Sequence, residues 1–102
     1  MSIQKQYLKS RPVCKVTFRI AEETGHSSRT AHLVGEFNDW SVSALPMRRL
    51  KSGAFTVTVD LKRGEEYQFR YLLDHHRWEN EPEADRFAPS PFSDARNSVV
   101  CL

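Results

Sequence analysis

Apolar and polar residues alternate along much of this chain with the two-residue period of half-buried strands. In Val13-Cys14-Lys15-Val16-Thr17-Phe18-Arg19-Ile20, Cys14, Val16, Phe18 and Ile20 fall on one side and Lys15, Thr17 and Arg19 on the other. The period returns over 55–61, where Phe55, Val57, Val59 and Leu61 face inward. It returns again over 67–73, where Tyr67, Phe69, Tyr71 and Leu73 alternate with Gln68, Arg70 and Leu72. A strand over 30–37 runs into Asn38-Asp39-Trp40, and Asn38 and Asp39 end it because both tolerate left-handed backbone angles and bond locally through their side chains. Shorter strands are expected at 45–50, around Trp78, and over 98–102.

Turn residues separate these runs. Residues 22–28 read as a polar loop pivoting on Gly25, Lys51-Ser52-Gly53 as a hairpin turn, Arg63-Gly64 as the next turn, and Asp74-His75-His76-Arg77 as another. Residues 1–12 read as a flexible N-terminal arm closed by Pro12, and 79–95 as a long loop carrying Pro82, Pro89 and Pro91. No segment sustains a helical period. About seven short strands with regular turn signals predict an all-β, immunoglobulin-like antiparallel sandwich, one domain over 13–102.

Composition narrows the function classes. A length of 102 residues suits one domain with a modest core, and 39% hydrophobic with 27% charged residues is ordinary for a soluble module. The net charge of +2 arises from 15 basic and 13 acidic residues spread along the chain, so no basic stripe argues for a nucleic-acid partner. No apolar run approaches the ~20 residues of a membrane span, and 1–11 has no apolar signal core, so a cytoplasmic setting without membrane contact is expected. Cys14 and Cys101 both fall in expected strands. They read as reduced thiols, although a bond between them is conceivable if those strands lie close together.

The run Val34-Gly35-Glu36-Phe37-Asn38-Asp39-Trp40 resembles the (L/V)xGxFNxW signature of the family-48 carbohydrate-binding modules. That family includes the glycogen-binding domain of the AMP-activated protein kinase β subunit and the N-terminal domains of isoamylases and glycogen-branching enzymes. The resemblance continues through residues 53–61, through Gly64-Glu65-Glu66-Tyr67-Gln68-Phe69-Arg70-Tyr71, from Asp74 to Trp78, and through Arg96-Asn97-Ser98-Val99-Val100. It implies an early-set β-sandwich and a non-catalytic module that binds α-glucans such as glycogen, starch or a cyclodextrin-like oligosaccharide. Such a module would target a separate enzyme chain to the polymer. No cofactor is expected, and two cysteines without a neighbouring histidine make no zinc site.

In the kinase-type members two tryptophans, a basic side chain and an asparagine hold the glucan. Trp40 and Trp78 match the tryptophans, Arg70 stands where those members carry a lysine, and Asn97 matches the asparagine. The leucine that threads a cyclic sugar in those members has no clean counterpart, and Phe92 stands near its place. The turn before Trp78 also departs from the pattern, because His75-His76-Arg77 replace a shorter Asp-Gly turn. A longer turn is expected to change the tilt of Trp78 relative to Trp40.

These residue types suit a sugar. The axial C–H groups of a glucosyl ring pack on an indole face, adding about 0.5–1.5 kcal/mol beyond area burial. Arg70 offers a rigid fork of donors to vicinal hydroxyls, and Asn97 offers both a donor and an acceptor. Each assignment has a plainer rival: a tryptophan that plugs the core, an arginine that solvates the outer sheet face, an asparagine that serves a turn. A protein-interaction module of the same fold without sugar affinity is the alternative function. Catalysis lacks support, since Glu79, Glu81, Glu83 and Asp85 read as a solvated loop rather than as two carboxylates held in a cleft. His75 and His76 sit adjacent on a turn and project apart, which disfavours a metal.

Overall fold

The strongest alternation builds the first sheet. In the computed structural model, which describes residues 3–25, 27–90 and 95–102, β2 (Val13–Ile20) pairs antiparallel with β5 (Phe55–Lys62) along its whole length. The register sets Cys14, Val16, Phe18 and Ile20 opposite Leu61, Val59, Val57 and Phe55, so the two strands present one continuous apolar face. On the other face Thr17 and Thr58 share a 2.9 Å hydrogen bond. Between these strands α1 (Glu22–Gly25) contributes a single helical turn, and β4 (Arg48–Arg49) lies on the far edge of β5. The turn at Lys51-Ser52-Gly53 places Gly53 at φ 96°, a region that favours a residue without Cβ, and Leu50 N–H closes it onto the Ala54 carbonyl at 2.7 Å.

The second sheet has the order β3 (Ala31–Gly35), β6 (Glu66–Leu73), β9 (Arg96–Cys101), β8 (Arg86–Pro89), with β7 (Arg77–Glu79) also paired to β6. The two antiparallel sheets form an immunoglobulin-like sandwich. Phe18 from the first meets Phe69 from the second edge-to-face at 5.0 Å, and Tyr71 extends the cluster 5.7 Å from Phe69.

Three expectations change. Residues 3–7 of the supposed arm form β1 (Ile3–Tyr7) on the edge of β2, giving the order β1-β2-β5-β4. The run Gln4-Lys5-Gln6 hides this in the sequence, but Ile3 is buried opposite Phe18, and Lys5 Nζ reaches Asp85 at 2.7 Å. The long loop over 79–95 contains β8, so the described strands number nine rather than about seven. Within that loop Glu81 is not solvated: it is fully buried, accepts from Tyr71 Oη at 2.7 Å, and takes the Glu83 N–H at 2.8 Å.

Cys14 and Cys101 are both free. They lie on different sheets, Cys14 buried and Cys101 only half-buried beside Glu66.

Burial on the second sheet is two-sided. Leu33, Tyr71, Leu73 and Val100 face the sandwich core. Their neighbours Val34, Leu72 and Val99 point the other way and are buried as well. The sheet therefore has a second apolar floor on its outer face.

Candidate functional site

The Asn-Asp-Trp corner is built by side chains closing back on their own strand. Asn38 Oδ1 accepts from Gly35 N–H at 3.1 Å, and Asn38 Nδ2 donates to the Leu33 carbonyl at 3.0 Å. Pairing with β6 consequently stops at Gly35, and Glu36–Asn38 coils into a 3-10 turn instead of continuing the strand expected to reach residue 37. Gly35 is required by crowding: a Cβ there would come within 2.6 Å of the Gln68 carbonyl oxygen and 2.8 Å of Phe69 Cβ. Asp39 and Trp40 then both take left-handed angles, φ 55° and 58°. A bulky residue rarely adopts that region, and the conformation is held by Trp40 N–H donating to the Gly35 carbonyl at 2.8 Å. It leaves the Trp40 ring outside the sandwich.

The second tryptophan arrives by a different turn. Asp74 and His75 are left-handed, φ 51° and 64°, and Arg77 opens β7, with Trp78 directly opposite Leu72 of β6. Asp74 Oδ1 accepts from the N–H groups of Arg29 and Thr30 at 2.7 and 3.2 Å, and these bonds hold its carboxyl below the usual range. Arg77 Nη2 donates to the Thr24 carbonyl and to Ser28 Oγ at 2.9 and 3.2 Å, tying the hairpin to α1 and its loop. The additional turn residues are absorbed this way. His75 packs on the buried His32 ring at 5.1 Å, and His76 Nδ1 lies 2.7 Å from the Asp74 carbonyl.

These two turns put Trp40 and Trp78, 38% and 44% exposed, on one cleft of about 440 Å³. Arg70 and Asn97 line the same cleft. Arg70 comes from β6 opposite Val34, and Asn97 lies within β9 rather than before it. Arg70 Nε donates to Asn97 Oδ1 at 2.7 Å, and Asn97 Nδ2 donates to Gln68 Oε1 at 2.9 Å. Asn97 is only 4% exposed. Arg70 Nη2 is buried and has no acceptor among the described residues, while the side chain as a whole is half-buried. Phe92 lies outside the described residues.

Four sequence-identified residues thus share one surface, and the cleft adds Val34, Glu36, Val42, Gln68 and Ser90. Gln68 was legible, because it stands two residues before Arg70 and so on the same strand face. The apolar residues on the outer face of the second sheet had a fainter signal. Leu33-Val34, Tyr71-Leu72-Leu73 and Val99-Val100 break the alternation, as strands buried on both faces do. Val42 and Ser90 lie in connectors, where no period marks them.

The geometry is that of an open cleft lined by two half-exposed indoles, Val34, the donors of Gln68, Arg70 and Asn97, and the Glu36 carboxylate. A family model, carbohydrate-binding module 48 (isoamylase N-terminal domain), matches residues 15–89, most of the chain. The chain belongs to that family. Its general function is carbohydrate binding by a non-catalytic module. Within the matched span of this family 48 module lie Trp40, Arg70 and Trp78, while Asn97 falls beyond it. No curated protein shows significant similarity to the chain.

Proposed function

We propose that this module binds α-glucans of the glycogen or starch type in the cleft between Trp40 and Trp78, and that it targets a partner enzyme to the polymer. The supporting observation is the pairing of two half-open indoles on one cleft with the half-buried guanidinium of Arg70. Successive glucosyl units present flat C–H faces to the rings and hydroxyl oxygens to the guanidinium. Two such platforms and a few polar bonds give affinities between about micromolar and about millimolar, so that repeated engagement along a polymer strengthens retention. A cytoplasmic setting belongs to the same proposal and accords with free Cys14 and Cys101 on separate sheets.

Affinity electrophoresis through glycogen-containing gels tests this reading. The wild type is expected to be retarded, and Trp40→Ala is expected to run as in a glycogen-free gel. Retardation that survives the substitution would defeat the assignment.

One observation favours a second reading, an interaction module of the same fold without sugar affinity. Asn97 is nearly inaccessible, and both ends of its amide are engaged by Arg70 and Gln68. That reading predicts an unretarded wild type which nevertheless captures a protein partner in pull-downs.

A further inference from the structure

Glu36 is the acidic side chain of the cleft among the described residues, and the position of its carboxylate follows from the way β3 ends. Pairing between β3 and β6 stops at Gly35 opposite Phe69. One more rung would have given Gln68 N–H a main-chain acceptor. Glu36 Oε1 takes that donor instead, at 2.7 Å, which anchors an exposed side chain at the cleft wall. The bond occupies one carboxylate oxygen only. Among the described residues neither Glu36 nor Arg70 joins an ion pair. Among the described residues the cleft thus carries one anion and one cation, with the neutral amides of Gln68 and Asn97 beside Arg70.

We propose that Glu36 is a ligand-contacting selectivity residue that restricts the cleft to uncharged polyols and disfavours phosphorylated or uronate-bearing glycans. This rests on the glucan reading above. A neutral sugar satisfies both charges at once, because a hydroxyl donates to the carboxylate and another hydroxyl oxygen accepts from the guanidinium. An anionic substituent gains from Arg70 but meets Glu36 across a partly desolvated cleft, where like charges repel more strongly than in water. Removing the carboxylate charge leaves Arg70 alone and turns the same cleft toward anions.

Calorimetric titration of maltoheptaose and of its singly 6-phosphorylated counterpart, into wild type and Glu36→Gln, decides the point. Glutamine keeps an oxygen for Gln68 N–H, so the corner is retained; a thermal melt checks this. The wild type is expected to prefer the neutral oligomer by about fivefold or more, a preference that shrinks with added salt. Glu36→Gln is expected to weaken the neutral oligomer, which loses a charge-assisted hydroxyl bond, to bind the phosphorylated one more tightly, and so to lose or reverse the preference. A purely structural role for Glu36 would move both ligands together. Equal wild-type affinity for the two oligomers, or an unchanged ratio in Glu36→Gln, overturns the inference and leaves the glucan reading intact. Failure of the wild type to bind either oligomer overturns both.

Discussion

Arg70 and Asn97 are joined across adjacent strands by a 2.7 Å bond from the guanidinium Nε to the amide Oδ1. Arginine can only donate, so this bond fixes which end of the Asn97 amide is oxygen. The nitrogen end then faces Gln68 Oε1 at 2.9 Å. Asn97 therefore sets the plane of the guanidinium and with it the direction of the remaining donors. Its near-complete burial makes it a positioning group for Arg70.

Replacing Asn97 by alanine is expected to lower stability by about 1–2 kcal/mol, because Arg70 Nε and Gln68 Oε1 both lose a partner. The same variant should weaken glucan binding about five- to tenfold although the side chain is scarcely exposed. Arg70→Lys keeps the charge but removes the Nε donor of the buried Asn97 amide oxygen, and should lose a similar factor together with about 1 kcal/mol of stability. Urea melts and calorimetric titrations of the two variants separate these effects.

Gly35→Ala tests the crowding at the corner. The new methyl group meets the Gln68 carbonyl oxygen, Phe69 Cβ and the Phe37 ring at 2.6 to 2.9 Å, and two of these are held by a strand. A loss of about 2–4 kcal/mol is expected from the forced shift. Urea denaturation gives the number, and a loss below about 0.5 kcal/mol, the level of an ordinary surface substitution, would refute the steric account.

The buried carboxylate of Glu81 predicts a strong dependence on a single hydroxyl. Tyr71 Oη donates to it at 2.7 Å, and burial followed by the proximity of that carboxylate pushes the phenol well above its usual titration range. Tyr71→Phe removes the donor and keeps the ring. The variant should be less stable by about 1–3 kcal/mol, the cost of leaving a buried acceptor short of a partner. Chemical denaturation at neutral pH checks it. Spectrophotometric titration of the wild type should show Tyr71 unionised until the fold opens.

His32 predicts the direction of a pH effect. Burial first, and then the neighbouring His75, lower its pKa below the ordinary 6.5. A depressed imidazole binds its proton more readily in the unfolded chain. The native state thus keeps its full stability above 6.5 and loses part of it as pH falls from there through the lower folded value. NMR titration of the His32 ring should give a midpoint below 6.5, and urea midpoints should fall over the same window. His32→Leu should flatten that part of the profile.

How far the molecule was legible in its sequence differs from one strand to another. β2 and β5 announced themselves because each has one wet face, and β6 because Gln68 and Arg70 mark its outer face ahead of the buried Leu72, so the period of two survives in the residue types. β1 was missed because its edge position leaves Gln4 and Gln6 exposed, with Ile3 its one buried apolar anchor. β8 was missed because Arg86-Phe87-Ala88-Pro89 is short and ends in proline, which an edge strand tolerates. Trp40, Trp78, Arg70 and Asn97 were found through motif resemblance, which specifies identity and spacing. Glu36 lay inside the same motif, yet its role depends on where β3 stops pairing, a tertiary fact with no local signature. The expected retilting of Trp78 could not be judged from turn length alone, because the added residues are held by Asp74 and by the contacts of Arg77 with Thr24 and Ser28.

The most direct test of the account follows the two indole N–H resonances by NMR while β-cyclodextrin is titrated into the wild-type module. Both Trp40 and Trp78 should shift along one saturating curve, and Trp40→Ala or Trp78→Ala should each weaken that curve about tenfold or more. Indole resonances that stay fixed at millimolar sugar, or a Trp78 signal that ignores the ligand while Trp40 responds, would contradict a shared glucan cleft.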